Sequence, residues 1–209
     1  MPLSIRWEPT LLAPSTPPEG WDLDFYMHKF YGKEIAERFL SPNHMLKVCG
    51  RQVGIEFNDR RRLILTGDSH RLVEYCRETM PDRENELMEL MLWRYNTEAL
   101  DMSKPLHLLE CAVACGLPRN GVAIMLASGK YKEEVDAKIA ANRAMIKERK
   151  KGIPYTTIAT AQGQILFSGM LPVQAKAEGL ADMLLEWSDN AEQLATSAIT
   201  TAAPPVEAS

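Results

Sequence analysis

Gly152-Ile153-Pro154-Tyr155-Thr156-Thr157-Ile158-Ala159, continued by Gln162-Gly163-Gln164-Ile165-Leu166-Phe167, is the stretch that decides the fold. A charged, helix-favouring segment stops at Gly152. Tyr155 to Ala159 is rich in β-branched and aromatic side chains and predicts a strand. Gln162-Gly163 predicts the turn, with Gly163 supplying the positive φ of a tight hairpin, and Gln164 to Phe167 predicts the returning strand. Pro154 stands at the mouth of the first strand, after a β-branched residue, where it removes a backbone donor. That placement points to a shaped turn beside a groove, and a cis peptide is one way to build it. It is a binding element that by itself names no reaction.

Working outward, the preceding sequence is mostly helical. Tyr131 to Lys151 predicts a helix with Val135, Ile139 and Ile146 facing inward, and its terminal Lys147, Arg149, Lys150 and Lys151 complement the helix dipole. Before it, Pro118 starts a shorter helix. Ser103 and Pro105 start one that sets Leu108, Cys111, Ala112 and Cys115 on a stripe and ends at Gly116. Asp82 opens a densely apolar helix through Leu87 and Leu90 to Trp93, and Asp68 opens another carrying Leu72, Val73, Cys76 and Met80. Asp22 caps a helix running from Phe25 toward Phe39, and Ser41-Pro42 starts a second that runs to Cys49 and stops at Gly50. Asn58 to Arg62 predicts a solvated loop. Ser4 to Glu8 alternates and predicts a short strand cut off by Pro9, and residues 9–20, with four prolines, predict a loop. After the hairpin, Pro172 predicts a final helix through Trp187, and residues 191–209 predict a disordered tail. The order is strand, helices, two strands, helix, which argues for an α+β class.

Composition narrows the function classes. The 209 residues are 45% hydrophobic and 25% charged, with a net charge of −4. No basic field points to nucleic acid, and no run of 18 apolar residues predicts a membrane span. The N-terminal residues lack a signal-peptide layout, so a reducing, cytoplasmic setting is expected. The 4 cysteines do not form a secreted disulfide framework.

Several motifs fall in a familiar order: Trp7-Glu8-Pro9 with Pro17-Pro18-Glu19-Gly20, Phe30-Tyr31-Gly32, Gly54-Ile55-Glu56-Phe57 with Thr66 and His70-Arg71-Leu72, Gly152-Ile153-Pro154, and Ser168-Gly169 through Pro172. As a set over residues 5–187 they resemble the DsbA-like thioredoxin superfamily. The similarity is closer to its FrnE-like branch, related to 2-hydroxychromene-2-carboxylate isomerases and kappa-class glutathione transferases. Leu65 and Ser69 depart from that branch's asparagine and alanine. The resemblance implies a thioredoxin-like fold in which residues 1–9 and 152–188 form the sheet and final helix and residues 21–151 a large helical insertion. It also implies thiol–disulfide or glutathione-linked chemistry, with the backbone of Ile153 and Pro154 binding a thiol or disulfide peptide or glutathione.

One departure outweighs these matches. The sequence contains no Cys-x-x-Cys, and the first strand-helix unit that carries it in the family is expected to be absent. Attack on a disulfide needs thiolate, which the family favours by setting cysteine at a helix N-terminus. Here Cys49 and Cys115 fall at helix C-terminal ends, Cys76 and Cys111 fall mid-helix, and core packing is the expectation for all four. His70 is expected to cap or to lie at the surface, with a place lining the groove as the alternative. His28, His44 and His107 show no metal-ligand spacing. No catalytic residue, metal ligand or cofactor is assigned, although the resemblance admits glutathione. The resemblance also implies that the strands at Ser4–Glu8 and Tyr155–Ala159 each lack a central partner. The first strand is then expected to be poorly anchored, or an open edge is left for a second copy. Two main readings follow: a FrnE-type oxidoreductase-family protein without its dithiol, and a non-catalytic binding or assembly module; a kappa-type isomerase or transferase is a third, weakened by the same loss.

Overall fold

The structure is a computed structural model that describes residues 4–150, 152–160 and 163–168, the backbone alone from Ile158 onward. The chain divides into two units, residues 1–142 and 143–209. In the first unit, a two-residue strand β1 (Trp21–Asp22) leads into helices α1 (Leu23–Tyr31), α2 (Lys33–Leu40) and α3 (Met45–Gln52). Strand β2 (Arg62–Leu63) precedes α4 (Gly67–Thr79), α5 (Glu84–Thr97), α6 (Pro105–Ala114) and α7 (Arg119–Ala127). Helix α8 (Lys132–Glu148) carries the chain into the second unit.

The helix-start signals at Pro105 and Pro118 hold, as does the stop before Gly116. Other boundaries differ from expectation: Asp68 lies inside α4, behind the N-cap Thr66, and Asp82 lies in a 3-10 turn that precedes α5. The single helix from Asp22 toward Phe39 is broken at Gly32, whose φ of +81° is a left-handed conformation that interrupts the ladder. Ser41 accepts a hydrogen bond from the Asn43 amide (3.2 Å) within a turn, and α3 starts later, capped by His44 Nδ1 accepting from the Leu46 amide (3.3 Å). It then runs through Gly50 to Gln52.

The core of this unit gathers Leu72, Val73 and Cys76 from α4, Leu87 and Met91 from α5, Leu108, Cys111 and Ala112 from α6, and Val122 and Met125 from α7. Helix α4 is central and packs on α5, α6 and α7. It also buries Arg71, which donates from Nε to the Lys130 carbonyl (2.8 Å), from Nη2 to the carbonyls of Met125 (2.8 Å) and Ser128, and pairs through Nη1 with Asp68 (2.7 Å). The guanidinium thus satisfies backbone acceptors left over at the end of α7.

Of residues 58–62, Asp59 and Arg60 are exposed as expected of a solvated loop, while Arg61 and Arg62 are not part of one. Arg61 is buried, with its guanidinium 5.5 Å from the Phe57 ring centroid. Arg62 and Leu63 pair antiparallel with Asp22 and Trp21, and Tyr95 donates its hydroxyl proton to the Arg62 carbonyl (2.8 Å). Gly20, with φ of +75°, precedes this ribbon; a Cβ there would lie 2.6 Å from the Leu63 carbonyl oxygen.

Ser4 to Glu8 is not a strand: the segment has no ladder partner among the described residues. Its backbone is satisfied by side chains instead. Glu84 Oε1 accepts from the Trp7 amide (2.9 Å), and Arg77 Nη2 donates to the Trp7 carbonyl (2.6 Å). The Trp7 indole N–H donates to Asn85 (3.0 Å), Asn142 donates to the Pro9 carbonyl (2.9 Å), and His70 Nε2 donates to the Thr10 carbonyl (3.0 Å). Arg77 also donates to both Glu74 oxygens (2.7 and 2.8 Å) and to Glu84 (2.7 and 2.8 Å), while Lys138 pairs with Glu74 (2.8 Å). A carboxylate and a guanidinium therefore meet the two backbone groups of Trp7 much as a neighbouring strand would. The expectation of poor anchoring holds for Ile5, which is 48% exposed, and fails at Trp7.

In the second unit, β3 (Tyr155–Thr160) and β4 (Gly163–Ser168) form an antiparallel hairpin, with Tyr155 opposite Ser168 and Thr160 opposite Gly163. Gly163, expected in the turn, instead pairs with Thr160 as the first residue of the returning strand. Residues 161–162 lie outside the described set, as do the expected final helix from Pro172 and the expected tail.

Candidate functional site

The Ile153–Pro154 peptide is cis. Gly152, Ile153 and Pro154 are exposed, Tyr155 is half-buried, and β3 begins directly after the proline. Among the described residues the hairpin is two-stranded, so the outer edge of β3 carries no ladder partner there. A strand edge without a ladder partner is the kind of surface to which an extended segment can add by main-chain pairing.

Arg149 adds a side chain to this mouth. Helix α8 ends at Glu148 and Arg149 follows directly, its amide still donating to the Met145 carbonyl (3.0 Å), so Lys147 and Arg149 both stand at the C-terminal end of the helix. The Arg149 Nη1 donates to the Tyr155 hydroxyl (2.6 Å), and the guanidinium carbon sits 5.9 Å from the Tyr155 ring centroid. The side chain is thus folded back over the first residue of β3. Lys147, Arg149 and Lys150 are all exposed.

The cysteines are free. Cys76, Cys111 and Cys115 are buried in the helical core and Cys49 is half-buried. Burial pushes Cys76 and Cys115 up to about 11, and raises Cys111 as well, against the opposing pull of Arg94. Cys115 caps the C-terminus of α6, where the helix dipole also opposes a thiolate. Arg94 Nη1 lies 3.9 Å from the Cys111 sulfur, but burial outweighs its pull, so Cys111 and Cys115 share a helix face where the thiol form is favoured.

His70 is neither a helix cap nor a surface group: half-buried, it fastens the N-terminal segment through Thr10. Burial lowers its pKa, outweighing the Thr10 hydrogen bond and the Glu74 charge that favour the cation. Among the described residues no three His, Cys, Asp or Glu side chains converge on a metal position, and no helix is long and apolar enough to cross a membrane.

No protein-family profile and no curated relative matches this sequence. Solved structures do. A probable DsbA oxidoreductase from Streptomyces coelicolor superposes with a TM-score of 0.62 at 20% identity, over 96% of this chain and 77% of that one. A candidate protein disulfide isomerase from Nitrosomonas europaea superposes with a TM-score of 0.51 at 16% identity, over 72% of this chain and 76% of that one. The fold is DsbA-like. It is α+β, helix-rich, with little sheet among the described residues, and the thioredoxin-like expectation from the ordered motifs stands.

Within this DsbA-like fold the sequence located the turn but missed two features. The Trp7 clamp draws on residues about 70 positions away, although one signal was present: Arg71, Glu74 and Arg77 interrupt the apolar pattern of α4 at every third position. The Arg149–Tyr155 pair had no separate signal within a run that reads as ordinary helix-end charge.

Proposed function

We propose that this chain is a thioredoxin-fold, FrnE-type oxidoreductase-family protein that holds a thiol- or disulfide-bearing peptide, or glutathione, against the backbone of Ile153 and Pro154. One observation carries the reading: an exposed turn opens onto a strand edge unpaired among the described residues, in a chain whose fold matches that of DsbA-like proteins. In such chemistry a thiolate attacks one sulfur of the disulfide, and the other sulfur leaves as thiolate. The chain's contribution is to pair with the substrate backbone and fix its orientation; none of its four cysteines is assigned as the nucleophile. A reducing, cytoplasmic setting belongs to this reading.

The test is backbone NMR on the full chain, titrated with a serine-substituted extended peptide and separately with reduced glutathione. Shifts concentrated at Ile153, Tyr155 and Thr156 support the reading; shifts confined to the helical unit overturn it. A second reading, a non-catalytic binding or assembly module that dimerises through the same edge, draws support from the raised, buried thiols. A thiol–disulfide exchange assay separates the two. Absence of activity together with a concentration-dependent dimer in sedimentation favours the module. Activity lost in Cys111→Ala/Cys115→Ala restores that pair as a dithiol, and activity retained with all four cysteines replaced excludes a dithiol of this chain.

A further inference from the structure

Resting on the reading of the turn as a peptide-binding edge, we propose that Arg149, with Lys147 and Lys150, selects peptides carrying acidic residues beside the segment that pairs with β3. Arg149 directly follows α8, five residues before Pro154, and its guanidinium is tied to the hydroxyl of Tyr155 by one Nη1 hydrogen bond of 2.6 Å. A guanidinium has five N–H donors in a planar fork. One goes to Tyr155, which fixes the side chain at the mouth of β3 and leaves the others to meet a carboxylate.

Pre-orientation of this kind matters because a free arginine loses rotamer entropy when it grips a ligand, and a tethered one has already lost part of it. Lys147 and Lys150 are exposed on the same short segment. The sequence from Lys147 to Lys150 holds three cations and one anion, Glu148, within a chain of net charge −4. The local field at the turn therefore has the opposite sign to the molecule as a whole. A neutral extended peptide gains nothing from that field, a lysine-rich one is repelled, and a glutamate- or aspartate-bearing one is drawn in and held.

The experiment uses the full chain and two fluorescent nine-residue peptides. Each has a serine in place of cysteine at its centre, flanked by glutamates in one and by lysines in the other, and binding is followed by anisotropy at low and at physiological salt. The acidic peptide is expected to bind about tenfold more tightly at low salt, with the preference shrinking as salt screens the exposed charges. Arg149→Ala/Lys150→Ala should bring the two affinities within about twofold of each other. Tyr155→Phe, which keeps the ring and removes the acceptor for Arg149, should lose part of the preference without weakening the lysine peptide. Equal binding of both peptides to the unaltered chain overturns the selectivity and leaves the turn's role intact. Binding of neither peptide overturns the turn's role and the selectivity with it. An acidic preference that persists in the double variant overturns the assignment to these residues.

Discussion

Replacing Arg77 by methionine tests how the N-terminal segment is held. Arg77 makes five hydrogen bonds: two to Glu74, two to Glu84 and one to the Trp7 carbonyl. Methionine keeps much of the apolar stem and deletes the guanidinium. Glu84, 4% exposed, then keeps the Trp7 amide as its partner, while Glu74, 5% exposed, still pairs with Lys138 at 2.8 Å. Removing one partner of a buried ion pair costs about 3–5 kcal/mol. Because Lys138 still compensates Glu74, the lower end, about 3 kcal/mol, is expected. With a urea slope of about 2 kcal/mol/M for a chain of this size, the midpoint falls by about 1.5 M. Hydrogen exchange at the Trp7 amide should accelerate in the same variant, since its acceptor is no longer positioned by Arg77.

The pH dependence supplies a second check. Burial pushes the Glu84 carboxyl up, but hydrogen bonds from Arg77 and the Trp7 amide outweigh it and leave the pKa below the ordinary carboxylate value. A carboxyl depressed in the folded state stabilises above its unfolded pKa, about 4.3, and that stability is lost as pH falls through the lower folded value. Arg77→Met should abolish this acid-side loss at Glu84 or reverse its sign. Adding Glu84→Gln to Arg77→Met removes the stranded charge and should recover part of the stability. A loss below about 1 kcal/mol in Arg77→Met, with Trp7 amide protection unchanged, would refute the clamp.

Gly20→Ala forces a side chain onto a residue at φ of +75°, with its Cβ 2.6 Å from the Leu63 carbonyl oxygen; a loss of about 2 kcal/mol in urea unfolding is expected, with exchange at the β1–β2 ribbon rising first. Alkylation under native conditions should modify Cys49 before Cys76, Cys111 and Cys115, which are 0–3% exposed; mass spectrometry that finds Cys115 modified first would contradict the burial. Raised thiol pKa values also make the folded state lose stability as pH climbs from the unfolded thiol value, about 8.5, toward 11, because the unfolded chain ionises first. For His70, lowered by burial, stability present above about 6.5 is lost as pH falls through its folded value. His70→Gln should flatten that window in a urea-midpoint series, and an unchanged series would show that His70 does not carry it.

Local chemistry made the middle of the chain legible. Pro105, Gly116 and Pro118 act within one helical turn, and α6 and α7 begin or end where they stand. The hairpin was readable from the strand-favouring residues on either side of Gly163, which itself pairs with Thr160 as the first residue of β4. What failed depends on distance. The β1–β2 ribbon joins Trp21 to Leu63 across 42 positions with two residues a side, too short for an alternating pattern to show. Gly32 was readable as a helix stop in principle, but Phe25, Tyr26 and Phe30 before it and Ile35, Ala36 and Phe39 after it kept the helical period. At the N-terminus, alternation in Ser4 to Glu8 correctly signalled extended backbone, and the error lay in assuming that extended backbone must find a strand.

Among the described residues, extended backbone without a ladder partner is met in two opposite ways. At Trp7 both backbone groups are closed off by Glu84 and Arg77 inside a network whose carboxylates are almost fully buried. At the mouth of β3 no such clamp is present among the described residues, and the nearby cation, Arg149, is tied to Tyr155 rather than to the backbone. An open edge invites pairing with a second copy, and natural sheets guard such edges with charge. Two copies meeting mouth to mouth would bring their Lys147, Arg149 and Lys150 clusters together, which disfavours that association, while an acidic segment of another chain meets the same cations favourably. The charges that would protect the edge from self-pairing are the ones that would admit a different ligand, so the peptide reading accounts for both an edge without a ladder partner among the described residues and the sign of its surroundings.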